Sequence, residues 1–128
     1  MKTGFDPLRF HQMRVVQKPW GHEEIWAETS NYLGKVLFIN PGHRLSRQYH
    51  NFKEETFRIL SGILSLEIGE GTDIVTHNLV PGEAFHCPPG TIHRMICEPT
   101  LNVEAVQVLE VSTNHLDDVV RLEDDYKR

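Results

Sequence analysis

Hydrophobic and polar positions alternate in short runs along most of the chain. Between residues 15 and 111, Pro, Gly, Asn or Asp interrupts these runs about every eight to twelve residues, the spacing typical of a sandwich or barrel. Alternation with a period of two is typical of strands that bury one face. The predicted strands are residues 24–28, 34–39, 46–50, 56–61, 63–68, 73–79, 84–87, 92–97 and 103–111. The pattern therefore predicts an all-β domain in which helices are hard to find.

The length of the chain predicts one domain. A chain of 128 residues buries roughly two-thirds of the surface of its unfolded form, which is enough for a single core. We divide it into an N-terminal extension (1–14), a barrel (15–111) and a C-terminal tail (112–128). The tail ends in LDDVVRLEDDYKR, which has several acidic residues and few apolar ones. This composition is compatible with a solvated terminus, but we expect the tail to fold back near the barrel mouth.

Composition excludes several classes of function. The formal net charge of -5 argues against binding to a phosphate backbone, so we expect no nucleic-acid partner. No apolar run approaches the roughly 20 residues of a membrane span, and the start MKTGFDPLRFHQ lacks the apolar region of a signal peptide. We therefore expect a cytoplasmic protein without membrane contact. Cys87 and Cys97 form no C-x-x-C pair and are interpreted as reduced, buried thiols.

Four residues have the chemistry and spacing of a metal site. Gln48 and His50 are two positions apart and share one face of a predicted strand, and Glu55 follows after a short loop. His93 stands just after the turn PPGT. A single strand histidine is usually a surface or hydrogen-bonded residue, so the joint pattern, rather than any one member, indicates a metal. Two imidazoles and a carboxylate inside a β-barrel are typical metal ligands.

These residues lie in two longer frames that resemble the signature motifs of the cupin superfamily. The motifs are G-x5-H-x-H-x(3,4)-E-x6-G and G-x5-P-x-G-x2-H-x3-N. The matching positions here are Gly42, Gln48, His50, Glu55 and Gly62 in the first frame, and Gly82, Pro88, Gly90, His93 and Cys97 in the second. Gln48 replaces the first histidine and Cys97 replaces the closing asparagine. The resemblance implies a double-stranded β-helix, which is a jelly roll of two antiparallel sheets around the metal.

The glutamine makes the resemblance closer, because phosphomannose isomerases carry glutamine at this position. Four segments in order, KPWGHEE, PGHRLSRQYH, CPPGTIHR and DDVVRLEDDYKR, resemble the C-terminal isomerase domain of type II phosphomannose isomerase/mannose-1-phosphate guanylyltransferase. Lys127 departs from the glycine usual in the last segment. The resemblance implies a stand-alone mannose-6-phosphate isomerase, which interconverts mannose 6-phosphate and fructose 6-phosphate through an enediol. We expect no nucleotidyl transfer, because no guanylyltransferase domain is present.

The resemblance also implies roles for individual residues. The metal ligands are Gln48, His50, Glu55 and His93. This set suits Zn²⁺, towards which the family leans, and also Mn²⁺, Co²⁺, Fe²⁺ or Ni²⁺. The residues expected to bind the sugar-phosphate substrate are Ser46, Arg44 and Arg121, and those expected to act in catalysis are Arg121 and Lys35.

Two other functions remain open from the sequence, and one partner is expected. The first alternative is a non-catalytic or regulatory sugar-binding cupin, and the second is a metal-dependent cupin oxygenase. Fold alone does not choose among these functions. Small cupins commonly dimerise through edge strands, so we expect a homodimer, with the run MRVVQKPW at residues 13–20 as the candidate contact.

Overall fold

Two antiparallel sheets make up the protein. The structure is a computed structural model that describes residues 12–127. Its strands are β1 Arg14–Lys18, β2 Gly21–Glu28, β3 Tyr32–Ile39, β4 Arg47–Tyr49, β5 Glu55–Ser61, β6 Leu64–Ile68, β7 Val75–Leu79, β8 Ala84–Cys87, β9 His93–Ile96, β10 Val106–Thr113 and β11 Val120–Glu123. A single 3₁₀ turn, Gly71–Asp73, is the helical element in this part of the chain.

Strands distant in sequence lie side by side in both sheets. The first sheet has the order β1-β2-β3-β10-β5-β8, and the second has the order β11-β4-β9-β6-β7. Non-sequential antiparallel neighbours such as β3 and β10 are typical of a jelly roll. The predicted all-β, two-sheet architecture is therefore confirmed.

The inward faces of the central strands change from apolar to polar along the barrel. At one end Ile39, Val106 and Val108 have 0% exposure, as expected for the inward positions of strongly alternating strands. Towards the other end the same two strands, β3 and β10, bury Lys35 and Glu110. The apolar end supplies the hydrophobic stabilisation, at about 1.5–3 kcal/mol for each buried aliphatic side chain. The polar end is left to hold charged groups.

Gly21 allows β2 to begin close to β3. A Cβ atom at this position would lie 1.9 Å from the carbonyl oxygen of Phe38, and the backbone φ of Gly21 is 153°. The preceding Trp20 is 2% exposed and belongs to the core. The segment PWGHEE thus combines a core anchor with a close approach of two backbones that excludes any side chain.

The C-terminal tail docks on the second sheet through its own strand. Its strand β11 pairs with β4 in antiparallel orientation. The guanidinium of Arg47 donates to Glu123 over 2.8 Å, and those of Arg44 and Arg94 donate to Asp125 over 2.7 and 2.9 Å. The tail is therefore held by ion pairs to side chains of the barrel, which the sequence did not predict.

The last long strand begins later than the sequence predicted. Residues 103–111 were expected to form it, whereas β10 runs Val106–Thr113. The amide of Asn102 holds the preceding loop, because its Oδ1 accepts from the Ile63 N–H over 2.8 Å and its Nδ2 donates to the Ile63 and Glu98 carbonyls. Val103 is consequently 97% exposed and lies outside the ladder.

Several other expectations concern the surface and the termini. Cys87 and Cys97 are buried and free, as predicted.

The N-terminal extension lies almost entirely outside the described residues. Strand β1 is an edge strand, so the homodimer through residues 13–20 stays a prediction. No helix of residues 12–127 is long and apolar enough to cross a membrane.

We predict that Arg94→Met lowers the free energy of unfolding by about 2–4 kcal/mol, because it leaves the Leu45 carbonyl without its charged donor and removes one of the two arginines that hold Asp125. The side chain of Arg94 is 2% exposed and donates to the Leu45 carbonyl and to Asp125. Urea denaturation measures the change. Arg58→Met is the control, since the side chain of Arg58 is exposed on β5 and bonds to no described residue. Equal stability of the two variants would show that Arg94 does not secure the tail.

Candidate metal centre and its cavity

Three buried side chains converge at the polar end of the barrel. His50 directly follows β4, Glu55 opens β5 and His93 opens β9. One ligand atom from each lies within 4.8 Å of the others. Glu55 Oε2 is 3.2 Å from His50 Nε2 and 3.7 Å from His93 Nε2. Strands from both sheets thus assemble one set of donors.

The backbone orients both imidazole rings. The Nδ1 atom of His50 bonds to the carbonyl of Asp118, and that of His93 bonds to the carbonyl of Thr91 over 2.9 Å. Because a carbonyl oxygen only accepts, each Nδ1 carries a proton. In its neutral form each ring therefore directs the lone pair of Nε2 towards Glu55, which is the orientation found in histidine ligands of metals.

The buried carboxylate supports the fit of a cation at this point. Glu55 Oε2 is buried and has no hydrogen-bond partner within residues 12–127. When both rings are neutral, two nitrogen lone pairs and a carboxylate oxygen face one another, an arrangement that is repulsive without a positive charge between them. The donor set of two imidazoles and a carboxylate suits a divalent transition metal. His50, Glu55 and His93 are therefore the residues that could hold a metal.

The electrostatic environment differs among these three groups. Burial opposes the charged form of Glu55, but the neighbouring His50 ring and the Lys53 ammonium outweigh it and lower its pKa to about 2. Burial also opposes the charged form of His50, yet the attraction of Glu55 raises its pKa. For His93 burial prevails and lowers the pKa. Glu55 is thus held as an anion.

Gln48 faces the same cavity as His50 and Glu55. In the second sheet it lies directly opposite His93 of β9 on one side and opposite Arg121 of β11 on the other. Residues opposite each other in a ladder direct their side chains to the same face of the sheet. Gln48 and Arg121 accordingly line one cavity together with His50 and Glu55.

The cavity carries an unusual number of charges for the inside of a barrel. Its lining includes four cationic and three anionic side chains: Lys18, Lys35, Lys53, Arg121, Glu23, Glu55 and Glu110. Two of the lysines are buried in ion pairs. Lys35 Nζ is 3.1 Å from Glu23, and Lys53 Nζ is 3.0 Å from Glu55 and 3.1 Å from Glu110.

Sequence reasoning missed Lys53, Glu23 and Glu110. A signal existed for the two glutamates, because Glu110 occupies the inward position that follows Val106 and Val108, and Glu23 is likewise in phase with Ile25. No signal marked Lys53, which lies in the loop before β5. Attraction by Glu110 and Glu55 outweighs burial and raises the pKa of Lys53, whereas burial raises that of Glu110.

The structure brings most of the predicted substrate residues into the cavity, but not Arg44. Lys35, Ser46 and Arg121 line it, and the Ser46 hydroxyl is buried without a hydrogen bond in the described part of the chain. The side chain of Arg121 makes no hydrogen bond or ion pair within residues 12–127. Arg44 was expected to bind substrate, but it is not among the residues that line this cavity, and both its Nε and NH2 atoms donate to Asp125.

Comparison with solved structures defines the class of the protein. The capsular polysaccharide assembling protein CapF of Staphylococcus aureus superposes with a TM-score of 0.75 at 16% identity, over 88% of this chain and 32% of that one. An RmlC-like cupin of Shewanella frigidimarina superposes with a TM-score of 0.66 at 14% identity, over 80% and 84%. These likenesses show that the chain has the cupin fold.

Sequence comparison identifies the family. Residues 6–124 match the family model described as mannose-6-phosphate isomerase C-terminal, and the chain belongs to this family. The mannose-1-phosphate guanylyltransferase RfbM of Salmonella typhimurium is 28% identical over 92% of this chain and 24% of that protein. The xanthan biosynthesis protein XanB of Xanthomonas campestris is 30% identical over 90% and 24%. The chain thus spans about a quarter of the length of these relatives.

We predict that Lys53→Met lowers the free energy of unfolding by about 3–5 kcal/mol, because it leaves two buried carboxylates without their shared cation. Chemical denaturation of the metal-free protein measures this change. The double variant Lys53→Met/Glu110→Gln removes one of the stranded charges and should recover part of the loss. A double variant that is as unstable as the sum of both single variants would contradict this account of the cluster.

Proposed function

We propose that the protein is a metal-dependent aldose-ketose isomerase that interconverts mannose 6-phosphate and fructose 6-phosphate. One observation carries the proposal: a single cavity is lined by Gln48, by His50 and Glu55 of the His50, Glu55 and His93 donor cluster, and by Arg121, whose side chain has no partner in residues 12–127. A divalent cation and a free guanidinium are the two groups that a sugar phosphate needs at its opposite ends. The match to the isomerase family supports this assignment.

In this proposal the metal ligands are His50 Nε2, His93 Nε2, a carboxylate oxygen of Glu55 and the amide oxygen of Gln48. The orientation of the His50 and His93 rings and the unsatisfied oxygen of Glu55 support these three residues as ligands. Gln48 is supported as a ligand because it lies directly opposite His93 in the pairing of β4 with β9. The set fits Zn²⁺, and also Mn²⁺, Co²⁺, Fe²⁺ or Ni²⁺. The bound cation supplies a Lewis acid that stabilises negative charge developing on the sugar oxygens.

The Lys35 and Glu23 pair is the proposed proton carrier. Both side chains line the cavity, 3.1 Å apart. Glu23 accepts the proton from C2 of the open-chain aldose while the Lys35 ammonium donates a proton to the carbonyl oxygen on C1, which gives an enediol. Glu23 then returns a proton to C1, and the Lys35 amine takes the proton from the oxygen on C2. The product is the 2-ketose, and both side chains regain their starting forms.

Arg121 is the proposed anchor for the phosphate. Its guanidinium faces the cavity and can form two parallel hydrogen bonds with phosphate oxygens. Ser46, whose hydroxyl lacks a partner in the described residues, can provide a further donor. Binding energy at the phosphate would hold the reacting carbons at the metal and at Lys35.

One observation favours a second candidate function. Two histidines and one carboxylate are also the ligand set of non-haem iron oxygenases. Isomerisation moves hydrogen within one molecule and needs no oxidant, whereas an oxygenase consumes O₂. Turnover of hexose phosphate by the zinc-loaded protein under nitrogen would therefore exclude the oxygenase.

We predict that Arg121→Gln lowers kcat/KM for mannose 6-phosphate roughly ten- to hundredfold, which corresponds to the loss of charge-assisted hydrogen bonds worth about 1.5–3 kcal/mol. A coupled assay of fructose 6-phosphate formation by zinc-loaded protein measures the effect. Metal content should remain equal to that of the wild type, because Arg121 is not a ligand. The matched control is Arg58→Gln on the exposed face of β5, which should retain full activity.

A sugar-binding role without turnover makes a different prediction in the same experiment. Zinc-loaded wild type that binds mannose 6-phosphate, forms no ketose and exchanges no C2 hydrogen with solvent deuterium would contradict the isomerase. Equal activity of the Arg121→Gln and Arg58→Gln variants would contradict the role of Arg121 as phosphate anchor but not the isomerase activity.

A further inference from the structure

Asp118 joins the C-terminal tail to the loop that separates two of the candidate ligands. Its carboxylate accepts three consecutive backbone N–H groups, from Asn51 over 3.0 Å, Phe52 over 2.7 Å and Lys53 over 2.9 Å. These residues form the connection between His50 and Glu55. One side chain of the tail therefore fixes most of the backbone of this loop.

The backbone of the same residue contacts a candidate ligand directly. The carbonyl oxygen of Asp118 accepts the hydrogen bond from His50 Nδ1. This contact sets the tautomer and the ring orientation that direct Nε2 towards Glu55. The side-chain and main-chain contacts depend on each other, because the carboxylate bonds hold the carbonyl next to His50.

The loop also carries the cation that balances Glu55. Lys53 donates its N–H to Asp118, and its ammonium reaches Glu55 and Glu110. On the other side of the loop, Glu54 and Thr113 exchange hydrogen bonds of 3.0 and 3.1 Å. Of the two attachments, Thr113 is the last residue of β10, whereas Asp118 lies in the segment that connects β10 to β11. The Asp118 contact is therefore the one that links this loop to the segment leading into β11, which carries Arg121.

We propose that Asp118 is a positioning residue that couples docking of the C-terminal tail to metal binding by His50 and Glu55. The inference rests on the metal site of the proposed function and extends it to a residue outside the ligand set. When the tail is docked, the His50 ring is fixed in the ligand orientation and Arg121 faces the cavity. When the tail is released, His50 loses its Nδ1 acceptor and the loop loses three hydrogen bonds.

Such coupling has to be reciprocal. If docking of the tail strengthens metal binding by some factor, metal binding strengthens docking by the same factor. The metal should therefore reduce opening of β11, which carries Arg121. In this way the site would gain its phosphate anchor only when its metal is in place.

The test compares Asp118→Ala and Asp118→Asn with Asp117→Ala, using Zn²⁺ as the probe. Asp117 is the adjacent exposed residue, and its side chain bonds to no described group. Zinc affinity is measured by competition with a chelating dye. We expect Asp118→Ala to weaken binding by roughly ten- to a hundredfold, the range for residues that orient a metal ligand. The zinc affinity of Asp118→Asn should lie between those of the wild type and Asp118→Ala, since a neutral amide oxygen accepts weaker hydrogen bonds than a carboxylate. Asp117→Ala should match the wild type.

Amide hydrogen exchange supplies a second readout that needs no variant. In the wild type, Zn²⁺ should slow exchange of the β11 amides, and this protection should be lost in Asp118→Ala. The inference would be overturned, with the metal site left intact, by either of two results. One is a zinc affinity of Asp118→Ala within twofold of that of Asp117→Ala, and the other is exchange of the wild-type β11 amides that does not change when Zn²⁺ is added. Wild type that binds no Zn²⁺ would overturn the metal site and the inference together.

Discussion

The burial of the Glu55 carboxylate constrains everything around it. A carboxylate that is 3% exposed is stable only if positive groups replace the water it has lost. Lys53 supplies one at 3.0 Å, and the two imidazoles occupy the remaining side without satisfying Oε2. The barrel therefore binds the anion firmly but leaves one oxygen available. This combination, rather than the histidines alone, makes the position suitable for a cation.

The other buried charges extend this arrangement along the inner wall. Glu110 shares Lys53 with Glu55, and Lys35 is directly opposite Glu110 in the pairing of β10 with β3. Each lysine thus lies beside carboxylates from a neighbouring strand, so no single substitution leaves its partners unaffected. The apolar layer beneath, with Ile39, Val106 and Val108, provides the rigid support for these groups. The cost of burying charge is offset by pairing here, and the stabilisation comes from the layer below.

Features that depend on local periodicity could be predicted from the sequence. Features that depend on contacts between distant segments could not. Strand alternation predicted the sheets, and the joint spacing of His50, Glu55 and His93 predicted the cluster that the structure shows. Strand β11 was missed because its short apolar run lies among acidic residues. Its pairing depends on Arg47 and Arg94, which no local pattern links to Glu123 and Asp125. Arg44 was predicted to bind substrate because the sequence places it near the site. The sequence does not show that its guanidinium is bonded to Asp125.

The balance of charge in the cavity gives Gln48 its significance. With neutral histidines, the four cationic and three anionic side chains of the lining leave one positive charge, and a divalent cation would raise the total to three. A carboxylate at position 48 would lower that total, whereas an amide contributes an oxygen ligand without changing it. Lys35 and Lys53 already face carboxylates, so Arg121 is the cation placed to meet an incoming anion. A phosphate monoester, which carries close to two negative charges at neutral pH, complements this excess. In the proposed site, the neutral Gln48 and the arginine opposite it in the ladder thus serve the same electrostatic requirement.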